Sequence, residues 1–246
     1  MKVAVLIPAT SLRRDWSEFK DTDLFRNVFK SFFTTYDLNH NYTFYIGIDE
    51  DDKLYNNETV IKEIKKFISV MKNSEIKIIK FNKNYKGKPT HIWNELYEIS
   101  LNENDFFLQV GSDIEFVDKN WCECMINILK ENNEIGVVGL TDLGRYEINN
   151  NDTLLTQTMV SKRHHEIFGF YFPYEIENWF CDNWIGDIYD RYGRKFIVNQ
   201  RILNLGGEPR YDIPNDCKEK YNICMIKYSK KIQKYQKQLN FYKRKF

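Results

Sequence analysis

Apolar positions along the first 140 residues fall into two repeating patterns: short continuous runs and helically spaced series. Residues 3–7 form an apolar run ended by Pro8, as expected of a strand buried on both faces of a parallel sheet. From Asp21, a helix-capping residue type, Leu24, Phe25, Val28, Phe29, Phe32, Phe33 and Tyr36 recur at helical spacing and predict an amphipathic helix with an aromatic face. A second strand is predicted at 42–48. A helix follows it, marked by Val60, Ile61, Ile64, Phe67, Ile68 and Met71. Residues 76–81 read as a third strand, 90–101 as a third helix, 106–110 as a fourth strand and 135–140 as a further strand.

This alternation predicts an α/β fold: a Rossmann-like, mostly parallel sheet with helices on both faces. Ligands bind such sheets beyond the carboxyl ends of the strands. Three polar clusters are expected there: the loop after Pro8, residues 49–52 and residues 112–115. Beyond residue 140 the pattern changes to a polar loop around 149–152 and then the most aromatic stretch of the chain, 154–192. Within that stretch Trp184, Ile185, Ile188 and Tyr189 mark a helix over 183–192, with Asp182 just before it.

Composition narrows the functional classes. Apolar residues make up 42% and aromatics 16% of the 246 residues, enough for a full core. The net charge of +1 conceals an uneven distribution: residues 227–246 hold eight Lys or Arg and no acid, leaving 28 basic against 35 acidic residues before them. An acidic body argues against nucleic acid as a partner, whose phosphates need cations across the binding surface. The five cysteines show neither a repeated C-x-x-C spacing nor an even count, which suits neither a disulfide framework nor a zinc site and reads as reduced thiols. No 18-residue apolar stretch is present, so a cytoplasmic protein without a membrane span is expected. The basic tail, with Ile226, Ile232, Tyr235, Leu239 and Tyr242 among its cations, is expected either to dock on the acidic body or to touch an anionic membrane surface, with docking slightly preferred.

In FFLQVGSDIEF, Asp113 and Glu115 sit on a turn directly after an apolar strand. Two hard carboxylates at this spacing suit Mn²⁺ or Mg²⁺, and such an ion neutralises diphosphate oxygens. The same two acids would also serve as a solvated turn or a helix cap.

VAVLIPAT, YIGIDEDD and FFLQVGSDIEF, taken in order, resemble the nucleotide-binding half of GT-A glycosyltransferases, including family 2-like members. ENWFCDNWIGDIY is similar to the later acidic, aromatic region in which inverting members place their base. The resemblance spans about residues 1–192 through short motifs. It implies a catalytic domain over 1–226, with a nucleotide-sugar-binding half at 1–118 and an acceptor-side half at 119–226, followed by the tail at 227–246. It further implies transfer of a sugar from a nucleotide-sugar donor, UDP-sugar favoured, to a hydroxyl on a glycan, glycoprotein or glycolipid.

By the same resemblance Pro8, Ala9 and Thr10 would line the nucleotide site, Asp49 would accept from base or ribose, and Ser112 and Asp113 would sit at the donor. The family's acidic pair is commonly followed by Gly-Ser, whereas here Asp49 is followed by Glu50, Asp51 and Asp52, at least some of which read as a solvated loop. Lys86 or Lys88 would approach the diphosphate, each equally suited to be a solvated loop cation, and Asn94 would support the donor pocket. Asp182 would be the general base of an inverting transfer, with an ordinary N-cap as its other reading and Glu177 and Asp187 as rivals. Trp179 and Trp184 would form an acceptor wall, though large aromatics also serve cores. His164 and His165 are better read as structural or substrate hydrogen-bonding groups than as metal ligands. Competing classes are a sugar nucleotidyltransferase, which would more often show a Gly-rich phosphate loop where this chain has SLRRDW, and a non-catalytic carbohydrate-binding protein.

Overall fold

The computed structural model describes residues 1–146, 154–205 and 210–243. The loop expected around 149–152 and the side chain of Tyr242 fall outside the described part.

The first half follows the predicted alternation: β1 (Lys2–Ala9), β2 (Asn41–Asp49), α2 (Glu58–Ser69), β3 (Ser74–Phe81), α3 (Pro89–Ser100) and β4 (Phe106–Gln109). The helix predicted after Asp21 is broken into a 3₁₀ turn at Phe19–Asp21, a π-helical stretch at Leu24–Phe29 and α1 at Lys30–Thr35. The second half comprises β5 (Ile114–Phe116), α4 (Trp121–Glu131), β6 (Val137–Asp142), α5 (Leu143–Tyr146), β7 (Thr158–Ser161), α6 (Lys162–Phe168), α7 (Cys181–Asp190), β8 (Lys195–Asn204), α8 (Cys217–Tyr228) and α9 (Lys231–Lys243).

The eight described strands form one sheet in the order β3-β2-β1-β4-β7-β6-β8-β5. The run β3-β2-β1-β4 is wholly parallel, as is the β6–β8 pair, while β4–β7, β6–β7 and β5–β8 are antiparallel. The parallel character expected of the whole sheet is thus strongest in its first half.

Pro8 does not end β1 but lies within it, opposite Gly47 of β2. The reason is local: β4 stops at Gln109, opposite Leu6, so the edge toward which Pro8 turns its nitrogen carries no strand in need of an N–H. Gly47 is required for a different reason. A Cβ there would meet Ile92 Cγ2 at 2.4 Å, so only glycine lets α3 approach β2 this closely.

Three of the helices begin at residues whose chemistry suits a helix start. Asn57 accepts from the Thr59 N–H at the start of α2, Pro89 opens α3, and Ser161 accepts from the Arg163 N–H at the start of α6. One sheet face packs on α1, α2 and α4 through Val5, Phe29, Phe32, Ile64 and Trp121. The other packs on α3 and α6 to α9 through Leu6, Trp93, Tyr97, Tyr171 and Trp184. These opposed cores fix the strand ends, and with them the loops that carry the polar clusters.

The boundary expected at residue 227 lies inside α8. The tail begins as a docked element. Ile232 is fully buried, Arg163 Nη1 donates to Tyr235 Oη at 2.7 Å, and Lys231 Nζ donates to the Phe168 carbonyl at 3.3 Å. Among the described residues no helix is long and apolar enough to cross a membrane.

Candidate active site

The loops beyond β1 and β2 enclose a cavity of about 720 Å³, lined among others by Thr10, Arg14, Trp16, Asp49, Asp51 and Lys86. Asp52 holds the two loops together. Its carboxylate accepts from Thr10 Oγ1 (3.2 Å), the Ser11 N–H (2.6 Å) and Ser11 Oγ (2.8 Å) on one side. On the other it accepts from the Leu54 and Tyr55 N–H groups at 3.0 and 2.8 Å. Asp52 is therefore a buried junction rather than part of a solvated acidic loop, whereas Glu50 and Asp51 are exposed.

Asp49 behaves differently. It is 3% exposed at the end of β2, accepts from Tyr211 Oη at 3.0 Å through Oδ2, and leaves Oδ1 buried without a partner. Burial raises its pKa, and the Tyr211 hydrogen bond only partly opposes that rise. A buried acceptor without a donor is costly, so this oxygen marks a place where a ligand N–H or O–H would be stabilised. Pro8 and Ala9 lie in β1 and do not line the cavity, whereas Thr10 lines it and is buried against Asp52.

At the end of β4, Ser112 and Asp113 meet a cation that the sequence reading did not include. Arg210 donates from Nη1 to Ser112 Oγ at 2.7 Å and from Nη2 to Asp23 Oδ2 at 3.3 Å, and Nη2 lies 4.0 Å from Asp113 Oδ2. Its guanidinium also lies over Trp16, 6.0 Å from the ring centroid, and its Nε is buried without a partner. Asp113 is raised in pKa by burial, opposed by Arg210 and reinforced by Asp23. Glu115 stands on β5 opposite Leu203, on the exposed side of an alternating strand whose Ile114 and Phe116 face inward. The next two residues of the Arg210 segment also contact the first two loops: Tyr211 donates to Asp49, and Asp212 accepts from Arg13 Nη2 at 3.0 Å.

The three candidate bases have different surroundings. Asp182 lies in the first turn of α7 and is partly buried. Its pKa is raised to about 7, first by burial and then by Asp142, against the Cys181 thiol and Arg145. Glu177 is ion-paired to Lys88 at 2.9 Å and lies 3.6 Å from Lys220, and the Lys88 contact lowers its pKa. Asp187 accepts from Tyr221 Oη at 2.5 Å. Asp182 does not line the 720 Å³ cavity.

Several expected site residues are engaged elsewhere. Asn94 is buried in α3 and its amide is engaged at both ends: Nδ2 donates to the Phe172 carbonyl at 2.8 Å, and Oδ1 accepts from the Tyr171 and Phe172 N–H groups. It clamps the 171–172 segment instead of supporting a donor pocket. Trp184 is fully buried against Phe168, Phe170 and Tyr228, so it belongs to the core and not to an acceptor wall. Trp179, by contrast, is 47% exposed. Lys88 precedes α3 in the ion pair with Glu177, and Lys86 pairs with Asp51 at 2.8 Å. His164 is buried between Tyr189 Oη and the Tyr171 carbonyl, with its pKa lowered to about 4 by burial, and His165 meets Glu98 at 3.0 Å on the surface.

Neither a family model nor a curated protein sequence matches the chain. Solved structures do. The chain is similar to Staphylococcus aureus TarS residues 1–349 in complex with UDP-GlcNAc, with a TM-score of 0.62 and 14% identity over 92% of this chain and 66% of that one. A longer TarS structure gives a TM-score of 0.61 at 13% identity, covering 92% of this chain and 39% of that one. TarS 1–349 in complex with UDP gives 0.56 at 12% identity, covering 82% and 60%. The chain spans slightly less than two thirds of the 1–349 fragment. TarS is a GT-A-type, family 2-like glycosyltransferase, and this chain shares its fold.

Proposed function

We propose that the chain is a metal-dependent glycosyltransferase that takes a nucleotide sugar, UDP-sugar favoured, and transfers the sugar with inversion to a hydroxyl of a glycan, glycoprotein or glycolipid. The observation that carries this reading is the partnerless, buried Asp49 Oδ1 beside a cavity at the strand ends, on a fold shared with a protein solved with UDP-GlcNAc and with UDP.

Asp49 accepts a hydrogen bond from the nucleotide's base or ribose, and the Asp52 junction holds the Thr10–Ser11 loop over it. Asp113, with Glu115 two residues on, would hold Mn²⁺ or Mg²⁺. The fit is supported by the cation already drawn to Asp113, Asp23 and Ser112 in the form of the Arg210 guanidinium. Such an ion, when bound, supplies charge to the leaving nucleoside diphosphate. Lys86 lines the cavity and Arg210 stands beside Asp113 as additional positive groups. Asp182 takes the acceptor hydroxyl's proton as the new glycosidic bond forms. A carboxylate titrating near 7, with no salt bridge to it among the described residues, suits that role better than the ion-paired Glu177.

Thermal unfolding of the full chain with UDP, GDP, dTDP and their sugars, with and without Mn²⁺, tests the reading. UDP plus Mn²⁺ at a hundredfold excess over its Kd should stabilise the fold by about 2.7 kcal/mol. Asp113→Asn should remove the Mn²⁺-dependent part. Stabilisation by a nucleoside triphosphate and sugar phosphate, with pyrophosphate released on turnover, would replace the proposal with a nucleotidyltransferase. No response to any nucleotide, with sugars alone stabilising, would replace it with a carbohydrate-binding protein.

A further inference from the structure

The end of the sheet opposite the cavity holds a second group of ligating side chains. The connection from α1 to β2 carries Asp37 and His40, and the first turn of α4 brings Cys122 and Glu123 beside them. One ligand atom from each of Asp37, His40 and Cys122 lies within 4.8 Å of the others. His40 is 4% exposed, yet neither of its ring nitrogens has a hydrogen-bond partner. Its Nε2 approaches Glu123 Oε2 to 2.9 Å, a contact that brings the two groups together without aligning a ring N–H on the carboxylate. A buried imidazole with one nitrogen met only by an unaligned carboxylate and the other by nothing is uncommon in a folded protein and needs an explanation.

Packing alone does not supply one. Asp37 Oδ2 accepts from the Glu123 N–H at 3.1 Å, which ties the α1–β2 connection to α4, and Tyr42 Oη closes the same turn by donating to the Asp37 carbonyl. Those contacts account for Asp37 and Tyr42, whose hydroxyl also meets the Cys122 thiol, but they leave His40 Nδ1 without a partner and the thiol fully buried near the acids of Asp37 and Glu123.

We propose that Asp37, His40 and Cys122 form a binding site for a Zn²⁺-type divalent cation, with Glu123 the side chain nearest the fourth position. The donor set decides the ion. Imidazole nitrogen, thiolate sulfur and carboxylate oxygen together suit Zn²⁺, whereas Mg²⁺ and Ca²⁺ select oxygen cages. This site is therefore chemically distinct from the pair of carboxylates at Asp113 and Glu115, and it stands independently of the proposed transfer reaction. Binding displaces the thiol proton of Cys122 to solvent. The carboxylates of Asp37 and Glu123 offset the chain's amino terminus, which also faces His40 and Cys122 and opposes a cation. An ion held here cross-links the start of β2 to the start of α4, beneath the sheet that carries the donor loops, so its role is structural.

Titration of chelator-stripped full-length protein with Co²⁺ tests the site, because a thiolate ligand gives a sulfur-to-cobalt charge-transfer band that oxygen ligands do not. One equivalent should produce that band together with the visible bands of a tetrahedral ion, and Zn²⁺ should abolish both. His40→Gln should weaken Co²⁺ binding by about tenfold or more, the scale of loss even for groups that only support a ligand. Cys122→Ser should remove the charge-transfer band. The double variant Asp113→Asn/Glu115→Gln should keep it, which separates the two metal sites. Circular dichroism establishes that each variant is folded. If Cys122→Ser is not, His40→Gln and the wild type decide the matter through the Zn²⁺-dependent rise in melting temperature, which should be present only in the wild type. A wild type without the band at stoichiometric Co²⁺, a band that survives in folded Cys122→Ser, or an equal Zn²⁺ response in wild type and His40→Gln would each overturn the proposal.

Discussion

The junction between the first two loops and the rim above the strand ends are built from the same residue type, buried aspartate, yet they differ in how their oxygens are satisfied. Asp52 at the junction accepts five hydrogen bonds from Thr10, Ser11, Leu54 and Tyr55. Three residues earlier, Asp49 is buried more completely but accepts only from Tyr211 and leaves one oxygen unmet. Asp113 and Asp182 continue along the rim with pKa values raised by burial. A carboxylate that the chain satisfies by itself holds the structure together. One that the chain buries without fully satisfying, as at Asp49 Oδ1, is left ready for whatever binds.

Breaking the rim at Asp182 has the largest expected effect. Asp182→Asn should lower single-turnover transfer by about 10²–10⁴-fold while nucleoside diphosphate affinity, read by calorimetry, stays within twofold. The rate of the wild type should fall below about pH 7, where the carboxylate takes up a proton. Stability moves in the opposite sense. A carboxyl whose folded pKa lies above its unfolded value binds more protons when folded, so stability is highest below the unfolded pKa of about 4 and falls as pH rises toward 7. That fall, at most about 4 kcal/mol and lessened by Asp182's residual solvent contact, should be missing from Asp182→Asn denaturant titrations.

Breaking the junction should cost stability first and function only as a consequence. Asp52→Ala strands three backbone N–H groups and should destabilise by about 3 kcal/mol or more, a melting-temperature loss of roughly 6–12 °C for a chain of this size. Asp49→Asn sharpens the contrast. It should leave the melting temperature unchanged or slightly raised, because a neutral amide is easier to bury, and weaken nucleotide binding by about tenfold, or 1.4 kcal/mol. Equal melting-temperature losses in the two variants would erase the distinction between junction and rim.

The parallel half of the sheet was legible because strands buried on both faces write continuous apolar runs, as residues 3–7 and 42–48 do. The later half was not. β5 is three residues long, β7 four, and β8 mixes Asn199, Gln200 and Arg201 with its apolar positions. Positions immediately after strands revealed Asp49, Asp113 and the polar loops, but not which acids the chain satisfies internally, since Asp49 and Asp52 are one residue type in one loop. Trp184 carried its own signal of core packing in its helical spacing with Ile185 and Ile188, and that signal outweighed its proximity to Asp182. Arg210 and Tyr211 carried none: they reach Ser112 and Asp49 across 98 and 162 residues of sequence, a separation no local pattern encodes.

Arg210 is also where the smallest effect is expected, and its sign is the informative part. Its guanidinium is attracted to the carboxylates of Asp113 and Asp23, with its side chain only 15% exposed, so the attraction is less screened than at a surface. A divalent ion approaching Asp113 meets a cation already there. Arg210→Ala should therefore tighten Mn²⁺ binding in the absence of nucleotide by about fivefold, close to 1 kcal/mol, because both carboxylates lose their internal counter-charge. In the presence of UDP the same substitution should weaken nucleotide binding, since the guanidinium then serves the diphosphate's negative charge. Calorimetry of Mn²⁺ alone and of UDP at saturating Mn²⁺ reads the two signs separately. Weaker Mn²⁺ binding without nucleotide would mean that Arg210 orders the carboxylates for the ion and does not compete with it. Unchanged affinity in both titrations would remove the 210–212 segment from the donor site and leave the acids beyond β2 and β4 as its anchors.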